Sequence, residues 1–231
     1  MKNKCSILVV EDDLEIQKGL RAFLEDAGYL VDTACNGFEG ALKTQQNQYQ
    51  LILLDVLMPK MNGYDVLKVI RETSNVPVMM LTALDGEDDE LKGFELQADD
   101  YIPKPFSMGI VLKRIEAVLR RNAPPPDMGT QSHKTLIYKD LSINPETFEV
   151  KIAGKRLALT DTEYGLLELL AANQGKIYTR DELLDRIWGE SFFGSDHVVS
   201  VHIANLRKKL ERNYIRTIRR RGYQFDFEDE R

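Results

Sequence analysis

The chain has 231 residues, of which 31 are Lys or Arg and 37 are Asp or Glu, and its formal charge is −6. Hydrophobic residues make up 43% and charged residues 29%, a globular composition that excludes disordered, collagen-like and disulfide-scaffold proteins. At about 150 residues per domain, this length predicts two domains. Cys5 and Cys35 are the cysteines of the chain, and neither a secretory leader nor an apolar run of about 20 residues is present. We therefore expect a cytoplasmic protein without a membrane span.

A proline-rich segment divides the chain. Residues 122–131 include three consecutive prolines, which favour extended geometry and predict a semi-rigid linker. Residues 1–131 carry a charge of −7, residues 132–231 carry +1, and positions 196–225 within the second part carry +6. We predict an acidic domain over residues 1–121 and a second domain with a basic end over residues 132–231.

The first domain alternates short apolar runs with amphipathic segments. The runs at 5–10, 51–54 and 76–81 are typical of parallel strands buried on both faces, 31–34 predicts a weaker strand, and 101–102 ends a fifth. The segments between them carry apolar residues at helical spacing. Strand–helix alternation with right-handed crossovers predicts a doubly wound α/β domain with a five-stranded parallel sheet.

Polar side chains follow the ends of these strands. Glu11 and Asp12 follow the first strand, Asp55 the third, Thr82 the fourth and Lys104 the fifth. In such a sheet the carboxyl ends of the strands form one edge, where ligands bind. Clustered carboxylates repel unless a cation lies among them, and oxygen-only ligands favour Mg²⁺ or Mn²⁺. An oxygen nucleophile, a hard metal and a cationic side chain together predict a phosphoryl-transfer site.

Each of these residues also has a purely structural explanation. Asp13 fits the N-cap of the first helix, and Asp12 or Asp55 alone would fit a turn or a cap. Lys104 alone is typical of a solvated surface. The functional interpretation depends on their joint placement at one edge of the sheet.

The second domain opens with short strands and turns between Leu136 and Leu159, and three helices follow. Thr160 with Glu163, and Thr179 with Glu182, form capping boxes that start the first two helices. The third helix covers residues 196–211. At 100° per residue, its core side consists of Val199, Ile203, Leu206 and Leu210.

The opposite side of the third helix and the hairpin after it predict a DNA interface. An exposed face with basic flanks suits a major groove, although a cationic helix face is by itself often only solvated. Residues 215–225 predict a β-hairpin, or wing, whose arginine-rich tip would meet phosphates or a minor groove. The residues predicted to face DNA are His197, Val201, Ala204, Asn205, Arg207 and Lys208 from the helix, and Arg219, Arg220 and Arg221 from the tip.

The ordered motifs of the chain resemble those of a known family. The first half resembles a receiver domain, and the second half resembles the winged-helix effector of OmpR/PhoB-type two-component response regulators. This resemblance implies a flavodoxin-like receiver followed by an α+β winged helix-turn-helix domain. The receiver motifs are residues 7–13 (ILVVEDD), 53–59 (LLDVLMP) with Asn62-Gly63, 81–83 (LTA), 99–101 (DDY) and 104–106 (KPF).

The resemblance implies roles for the residues at the strand ends. Asp55 would accept a phosphoryl group from a sensor histidine kinase. Asp12, Asp55 and the backbone carbonyl of Leu57 would hold Mg²⁺ or Mn²⁺, and Glu11 would act through water. A second set would bind the phosphoryl group and respond to it, with a cis Lys104–Pro105 bond and an inward rotation of one aromatic ring. That set is Thr82, Ala83, Tyr101, Lys104 and Pro105, and Tyr101 would otherwise be an ordinary packing residue.

The resemblance also implies a phosphorylation-dependent homodimer formed through charge pairs in the segment 87–121. Here the sequence departs from the family pattern, because Glu90 stands where a base is usual and Ile110 where an acid is usual. In the wing, Arg220 stands where glycine is common, and the turn there would need an unusual φ. The expected dimer residues are Lys92, Glu95, Asp99, Asp100, Arg114 and Arg121.

These features predict a transcription factor rather than an enzyme, with double-stranded DNA and a sensor kinase as partners and RNA polymerase as a further candidate. A haloacid-dehalogenase-type phosphatase would place an Asp-x-Asp motif where this chain has Glu11-Asp12-Asp13. A second alternative is a DNA-binding protein whose receiver is a dimerisation module that does not respond to phosphate.

Overall fold

The structure is a computed structural model, and it describes residues 4–83, 93–121, 135–189, 192 and 195–226, with the Arg121 side chain excepted. The chain divides into two compact units at the boundary between Leu119 and Arg120. This boundary lies close to the predicted end of the first domain. The predicted linker, residues 122–131, lies outside the described residues.

The first unit contains a five-stranded parallel sheet in the order β2-β1-β3-β4-β5, which confirms the predicted fold. The three central strands are apolar because both of their faces are covered. The strands are β1 (Ser6–Val10), β2 (Leu30–Ala34), β3 (Leu51–Asp55), β4 (Val78–Thr82) and β5 (Asp100–Pro103).

Four helices of ten residues or more lie within the described residues of this unit, and the first three start at a capping side chain. Asp13 accepts hydrogen bonds from two backbone N–H groups of the first turn, and Asn36 and Asn62 each accept one. The structural explanation of Asp13 is therefore confirmed. The helices are α1 (Leu14–Asp26), α2 (Gly37–Gln46), α3 (Gly63–Thr73) and α4 (Met108–Arg121).

Strand β2 forms one edge of this sheet and carries a polar network. The Lys43 ammonium, on α2, lies 2.8 Å from an oxygen of Asp32 and donates to the Thr33 carbonyl at 2.6 Å. The Tyr49 hydroxyl donates to the other Asp32 oxygen at 2.7 Å. These contacts fasten α2 to the edge strand.

The second unit begins with a four-stranded antiparallel sheet and continues with helices and a three-stranded sheet in the order β10-β12-β11. Both predicted capping boxes are present, at Thr160 and at Thr179. The strands are β6 (Leu136–Tyr138), β7 (Leu141–Asn144), β8 (Glu149–Ile152), β9 (Lys155–Leu157), β10 (Ile177–Tyr178), β11 (Ile215–Ile218) and β12 (Gly222–Phe225). The helices are α5 (Asp161–Ala172), α6 (Arg180–Ile187) and α7 (His197–Leu210).

The predicted core side of the third helix is confirmed in α7, because Val199, Ile203, Leu206 and Leu210 are fully buried. Strands β11 and β12 form the predicted hairpin. The resulting arrangement, an antiparallel sheet followed by three helices and a hairpin, is that of an α+β winged-helix domain.

Candidate functional site

The carboxyl edge of the parallel sheet brings the predicted pocket residues together. The sheet order reverses between β1 and β3, and Glu11 and Asp12 follow the first of these strands while Asp55 ends the second. The loop after Asp55 packs tightly on its own backbone, because a Cβ at Gly63 would overlap the Asp55 carbonyl oxygen. Glycine at the start of α3 therefore fixes the path of this loop.

Three carboxylates and one ammonium form the pocket. Glu11, Asp12 and Asp55 each offer an oxygen, and these three oxygens lie within 4.8 Å of one another. Glu11 is 0% exposed and Asp55 is 3% exposed, whereas Asp12 is open to solvent. The Lys104 ammonium lies 2.7 and 2.9 Å from the two oxygens of Glu11 and 3.1 Å from an oxygen of Asp55. The predicted joint placement of these residues is thus present in the fold.

The electrostatics of the pocket follow from this crowding. Burial raises the pKa of Glu11 to about 7, and the charge of Asp55 adds to the rise while the hydrogen bond from Lys104 opposes it. Burial alone would lower the pKa of Lys104, but the hydrogen bond to Glu11 and the charge of Asp55 outweigh it and raise that pKa. The ammonium therefore stays charged at neutral pH and partly neutralises the carboxylates.

The residues of the pocket fit a small divalent cation. Carboxylate oxygens at this density are the hard donors that Mg²⁺ and Mn²⁺ prefer. Because Lys104 already contacts both oxygens of Glu11, an indirect contact through water suits this residue better than direct ligation. The acidic triad is typical of the Mg²⁺ site of receiver domains.

The residues predicted to respond to a phosphoryl group lie within β4 and β5 or just after their carboxyl ends. Thr82 is fully buried at the end of β4, Ala83 after it is exposed, and the Lys104–Pro105 bond is cis, as predicted. Tyr101 is 5% exposed, so its ring already lies inside the fold. Its hydroxyl is 3.3 Å from the hydroxyl of Tyr64, a buried neighbour on α3 that the sequence analysis did not identify.

Three of the predicted dimer residues form ion pairs within the protomer. Asp99 is buried, 2.9 Å from Arg71 on α3, and it also accepts from the backbone N–H of Val78 at 3.0 Å. Asp100 is buried against Arg114 at 2.7 Å. In this structure Asp99, Asp100 and Arg114 are each covered by their own protomer, and their pairing with a partner chain stays a prediction.

The other dimer residues divide into two groups. Glu95 is exposed, and Ile110, which departs from the family pattern, is half-buried at the start of α4. Lys92, Glu90 and the Arg121 side chain lie outside the described residues.

Of the six α7 residues predicted to face DNA, four are exposed or half-buried, whereas Asn205 and Arg207 are placed differently from the prediction. His197, Ala204 and Lys208 are exposed and Val201 is half-buried. The prediction that Asn205 lies on the exposed side is wrong, because α7 is covered over a wider arc than its apolar residues indicate, and Asn205 is 8% exposed.

Arg207 does not extend towards solvent from α7. Its Nε and Nη2 donate to the Ile215 carbonyl of β11 at 3.0 and 2.7 Å, and Nη2 also donates to the Thr217 hydroxyl at 2.9 Å. The prediction of a DNA-facing side chain is therefore wrong in this structure, because the hairpin that follows in the chain packs on this side of the helix.

The wing tip has the predicted composition and an unusual backbone. Arg219, Arg220 and Arg221 are all exposed, and Arg220 has φ = 62°, the left-handed conformation expected of a residue in a glycine position. Gly222 has φ = 129°, and a Cβ there would overlap the Tyr178 carbonyl of β10. The absence of a side chain at Gly222 thus allows the wing to pack closely against β10.

Sequence reasoning missed a second group of polar residues beside α7. Arg180 Nε and the Tyr223 hydroxyl both donate to the Ser200 hydroxyl oxygen, each at 3.0 Å. These partners are 20 and 23 residues away from Ser200 in the chain, so no local spacing links them.

In the part of the chain that the structure describes, no helix is long and apolar enough to cross a membrane.

The fold and the pocket define a two-component transcriptional response regulator, a receiver followed by a DNA-binding winged-helix domain. The chain matches the response regulator receiver domain family over residues 7–116 and the family of C-terminal domains of transcriptional regulatory proteins over residues 154–225. It therefore belongs to the OmpR/PhoB-type response regulators, a family of transcription factors and not of enzymes.

Individual relatives resemble the chain over nearly its full length. The regulatory protein VanRB of Enterococcus faecalis is 42% identical over 220 residues, which cover 95% of this chain and 97% of that protein. The alkaline phosphatase synthesis transcriptional regulatory protein PhoP of Bacillus subtilis is 40% identical over 230 residues, covering 95% and 96%. The crystal structure of the OmpR/PhoB homologue DrrB of Thermotoga maritima has a TM-score of 0.51 and 34% identity, covering 97% of this chain and all of DrrB.

Proposed function

We propose that Asp55 is the phosphoryl acceptor and that its phosphorylation favours a dimer that binds promoter DNA. The observation that carries this proposal is the meeting of Glu11, Asp12 and Asp55 oxygens within 4.8 Å, with the Lys104 ammonium 3.1 Å from Asp55. A bound Mg²⁺ would be held by Asp12, Asp55 and the Leu57 carbonyl, and it would supply positive charge against the incoming phosphoryl oxygens.

The chemistry is a transfer between two protein side chains. An oxygen of Asp55 attacks the phosphorus of a phosphohistidine on the kinase, the P–N bond breaks, and the imidazole leaves with the bond electrons and takes up a proton. The product is an acyl phosphate that carries about two negative charges in place of the single charge of the carboxylate, and it brings three phosphoryl oxygens into the pocket as acceptors. Lys104 and the Thr82 hydroxyl are suited to contact those oxygens, and Lys104 would then exchange its contact with Glu11 for one with phosphate.

The segment 87–121 forms the dimer in response to phosphorylation, and α7 and the wing bind DNA. Glu95 is an exposed group of that segment in this structure. His197, Val201, Ala204 and Lys208 would enter a major groove, while the arginines of the tip would contact phosphates or a minor groove. Residues 1–121 act as the receiver, 122–131 as the linker and 132–231 as the effector, and RNA polymerase is the downstream partner of a promoter-bound dimer.

Light scattering and DNA selection on the full-length chain test this proposal together. Molecular mass and retention of duplexes from a random-sequence pool are measured with and without Mg²⁺ plus an acyl-phosphate donor. Asp55→Asn removes the acceptor, and Asp26→Asn, an exposed acid on α1, is the matched control. We expect the donor to double the mass and sharpen DNA selection for the wild type and the control, and to do neither for Asp55→Asn.

Two outcomes would contradict the proposal in different ways. Equal mass and equal DNA retention in all samples would show a receiver that is a constitutive module, the alternative function considered above. A donor response that survives Asp55→Asn would place the acceptor elsewhere in the chain.

A further inference from the structure

A single hydroxyl group on α7 joins three elements of the effector unit. Ser200 accepts from Arg180, the first residue of α6, and from the Tyr223 hydroxyl on β12, both at 3.0 Å. The Tyr223 ring is buried, with the Arg180 guanidinium 5.8 Å from its centroid. Ser200 therefore fastens one strand of the wing to the helix that carries the proposed base contacts.

Arg207 fastens the other strand of the wing to the same helix. Its guanidinium donates twice to the Ile215 carbonyl and once to the Thr217 hydroxyl, both on β11, and it lies 5.7 Å from the centroid of the Tyr223 ring. Ser200 and Arg207 are seven residues apart, so they lie on the same side of α7, two turns and about 10 Å from each other. The helix thus holds β12 at one point and β11 at another.

These two contacts meet a mechanical requirement of the wing. The strands of the wing belong to a three-stranded sheet with β10, but the three exposed arginines lie at the far end of the hairpin, beyond the paired residues. Val201 and Lys208, which are proposed to face DNA, each follow one of the two anchoring residues in sequence. The two anchors therefore add to the pairing with β10 a direct connection between the wing and the DNA-facing side of α7.

We propose that Ser200 and Arg207 are positioning residues that couple the wing to α7, so that the helix and the tip arginines engage DNA as one rigid unit. This inference rests on the proposed DNA contacts of α7 and the wing. It gives Arg207 a role inside the protein in place of the base contact that the sequence predicts. It also gives Ser200 a specificity role, because a tip held at a fixed distance fits a fixed separation of groove contacts.

A double-mutant cycle between the anchor and the tip tests the coupling. The variants are Ser200→Ala, the tip variant Arg219→Ala/Arg221→Ala, and their combination, all in the full-length protein. Affinity is measured against the duplex that the wild type enriches from a random-sequence pool and against an unselected random-sequence duplex, over a range of salt concentrations. Ser142→Ala, a half-buried serine on β7, is the matched control.

We expect Ser200→Ala to weaken binding of the enriched duplex roughly fivefold to tenfold, because two hydrogen bonds to the wing and α6 are lost. In the tip variant the same replacement should change affinity less than about twofold, since the tip is then no longer engaged. Ser200→Thr, which keeps the hydroxyl, and Ser142→Ala should bind as the wild type does. An equal loss from Ser200→Ala with and without the tip arginines, or no loss at all, would overturn the inference.

Hydrogen exchange of the wing provides a reading that does not depend on DNA. Amides of β11 and β12 should exchange faster in Ser200→Ala and in Tyr223→Phe, which keeps the ring and removes its hydroxyl, while amides of α5 exchange at the wild-type rate. Unchanged wing exchange in both variants would overturn the anchoring role. If the wild type itself retained no DNA, the proposed function would fail, and the exchange rates would still decide whether Ser200 holds the wing.

Discussion

The acidic pocket of the receiver and the arginine tip of the wing handle charge in opposite ways. In the pocket, Glu11 and Asp55 are buried and the Lys104 ammonium contacts both, so their charges are partly neutralised within the protein. At the tip, three adjacent arginines are exposed around a strained turn. The carboxylates of the pocket therefore already contact a cation of their own unit, while the guanidinium groups of the tip are open to solvent.

This difference in the burial of charge corresponds to two different kinds of function. A buried, paired charge resists change until a new ligand replaces its partner, which suits a switch. An exposed charge costs the fold little and gains its energy only on binding, which suits recognition of a phosphate backbone.

Removing the Lys104 ammonium should have the largest effect of the changes considered, a loss of stability of the receiver. In Lys104→Met, the carboxylates of Glu11 and Asp55 remain without a cation, which costs about 3–5 kcal/mol of unfolding free energy for a buried pair. Hydrogen exchange of β1 and β3 amides at about pH 8, with a chelator present, measures this for the receiver. Adding Glu11→Gln should recover much of the loss, and Lys113→Met, on the exposed side of α4, is the control. Wild-type protection in Lys104→Met would contradict internal neutralisation.

Gly222→Ala should displace the wing and destabilise the effector unit. A Cβ there would overlap the Tyr178 carbonyl, and φ is 129°, so we expect a loss of about 2–3 kcal/mol together with loss of selective DNA binding. Gly154→Ala is the matched control, because Gly154 also has a positive φ, 79°, but open space around it, and should cost about 1 kcal/mol. Protection of α7 and β11 amides measures both variants, and equal costs would show that contact with β10 is unimportant.

Single replacements of Arg219 or Arg221 by alanine should sharpen the comparison, since they affect binding without affecting stability. Each should change the unfolding free energy by less than about 0.5 kcal/mol. Each should also lower the slope of log affinity against log salt by about 0.9, the value for one lost phosphate contact. Arg156→Ala, on β9, is the control and should leave the slope unchanged. An unchanged slope in both tip variants would remove the wing from the DNA interface.

The smallest expected effect concerns Asp32, a partly exposed case between the two extremes. Burial alone would raise the pKa of Asp32, but hydrogen bonds from Lys43 and Tyr49 outweigh it and hold that pKa below its ordinary value. The stabilisation is therefore present above about pH 4 and is lost as the pH falls through the lowered pKa. Because the side chain is 42% exposed, Asp32→Asn should cost only about 0.5 kcal/mol at pH 6. The cost should decrease as the pH is lowered below about 4 when exchange of β2 amides is compared, and a cost that is constant with pH would exclude the ion pair as its cause.

Features set by neighbouring residues were predictable from the sequence. The N-cap at Asp13, the capping boxes at Thr160 and Thr179, and the turn at Arg220 each depend on a few consecutive positions and occur as predicted. The pocket was predictable for a different reason, because parallel strands deliver their carboxyl ends to one edge whatever the details of packing.

Partners chosen across the fold were not predictable in the same way. A helical projection places Arg207 on a side of α7, but it does not show that β11 will pack there and accept its hydrogen bonds. Likewise, the acidic pair Asp99 and Asp100 looks available in the sequence, whereas Arg71 and Arg114 cover it from two helices. The partner of a long side chain depends on how the helices and strands pack, and no spacing in the sequence predicts that packing.

The contact between Lys43 and the Thr33 carbonyl has a consequence for the protein at high concentration. The edge of a sheet presents backbone groups to which a strand of another molecule can add, and this is a common start of aggregation. On β2 that place is occupied by an ammonium 2.6 Å from the carbonyl, with the carboxylate of Asp32 beside it. A strand arriving from a second copy would have to displace one charge and bury the other, so the same network that holds α2 also keeps neighbouring molecules from joining their sheets.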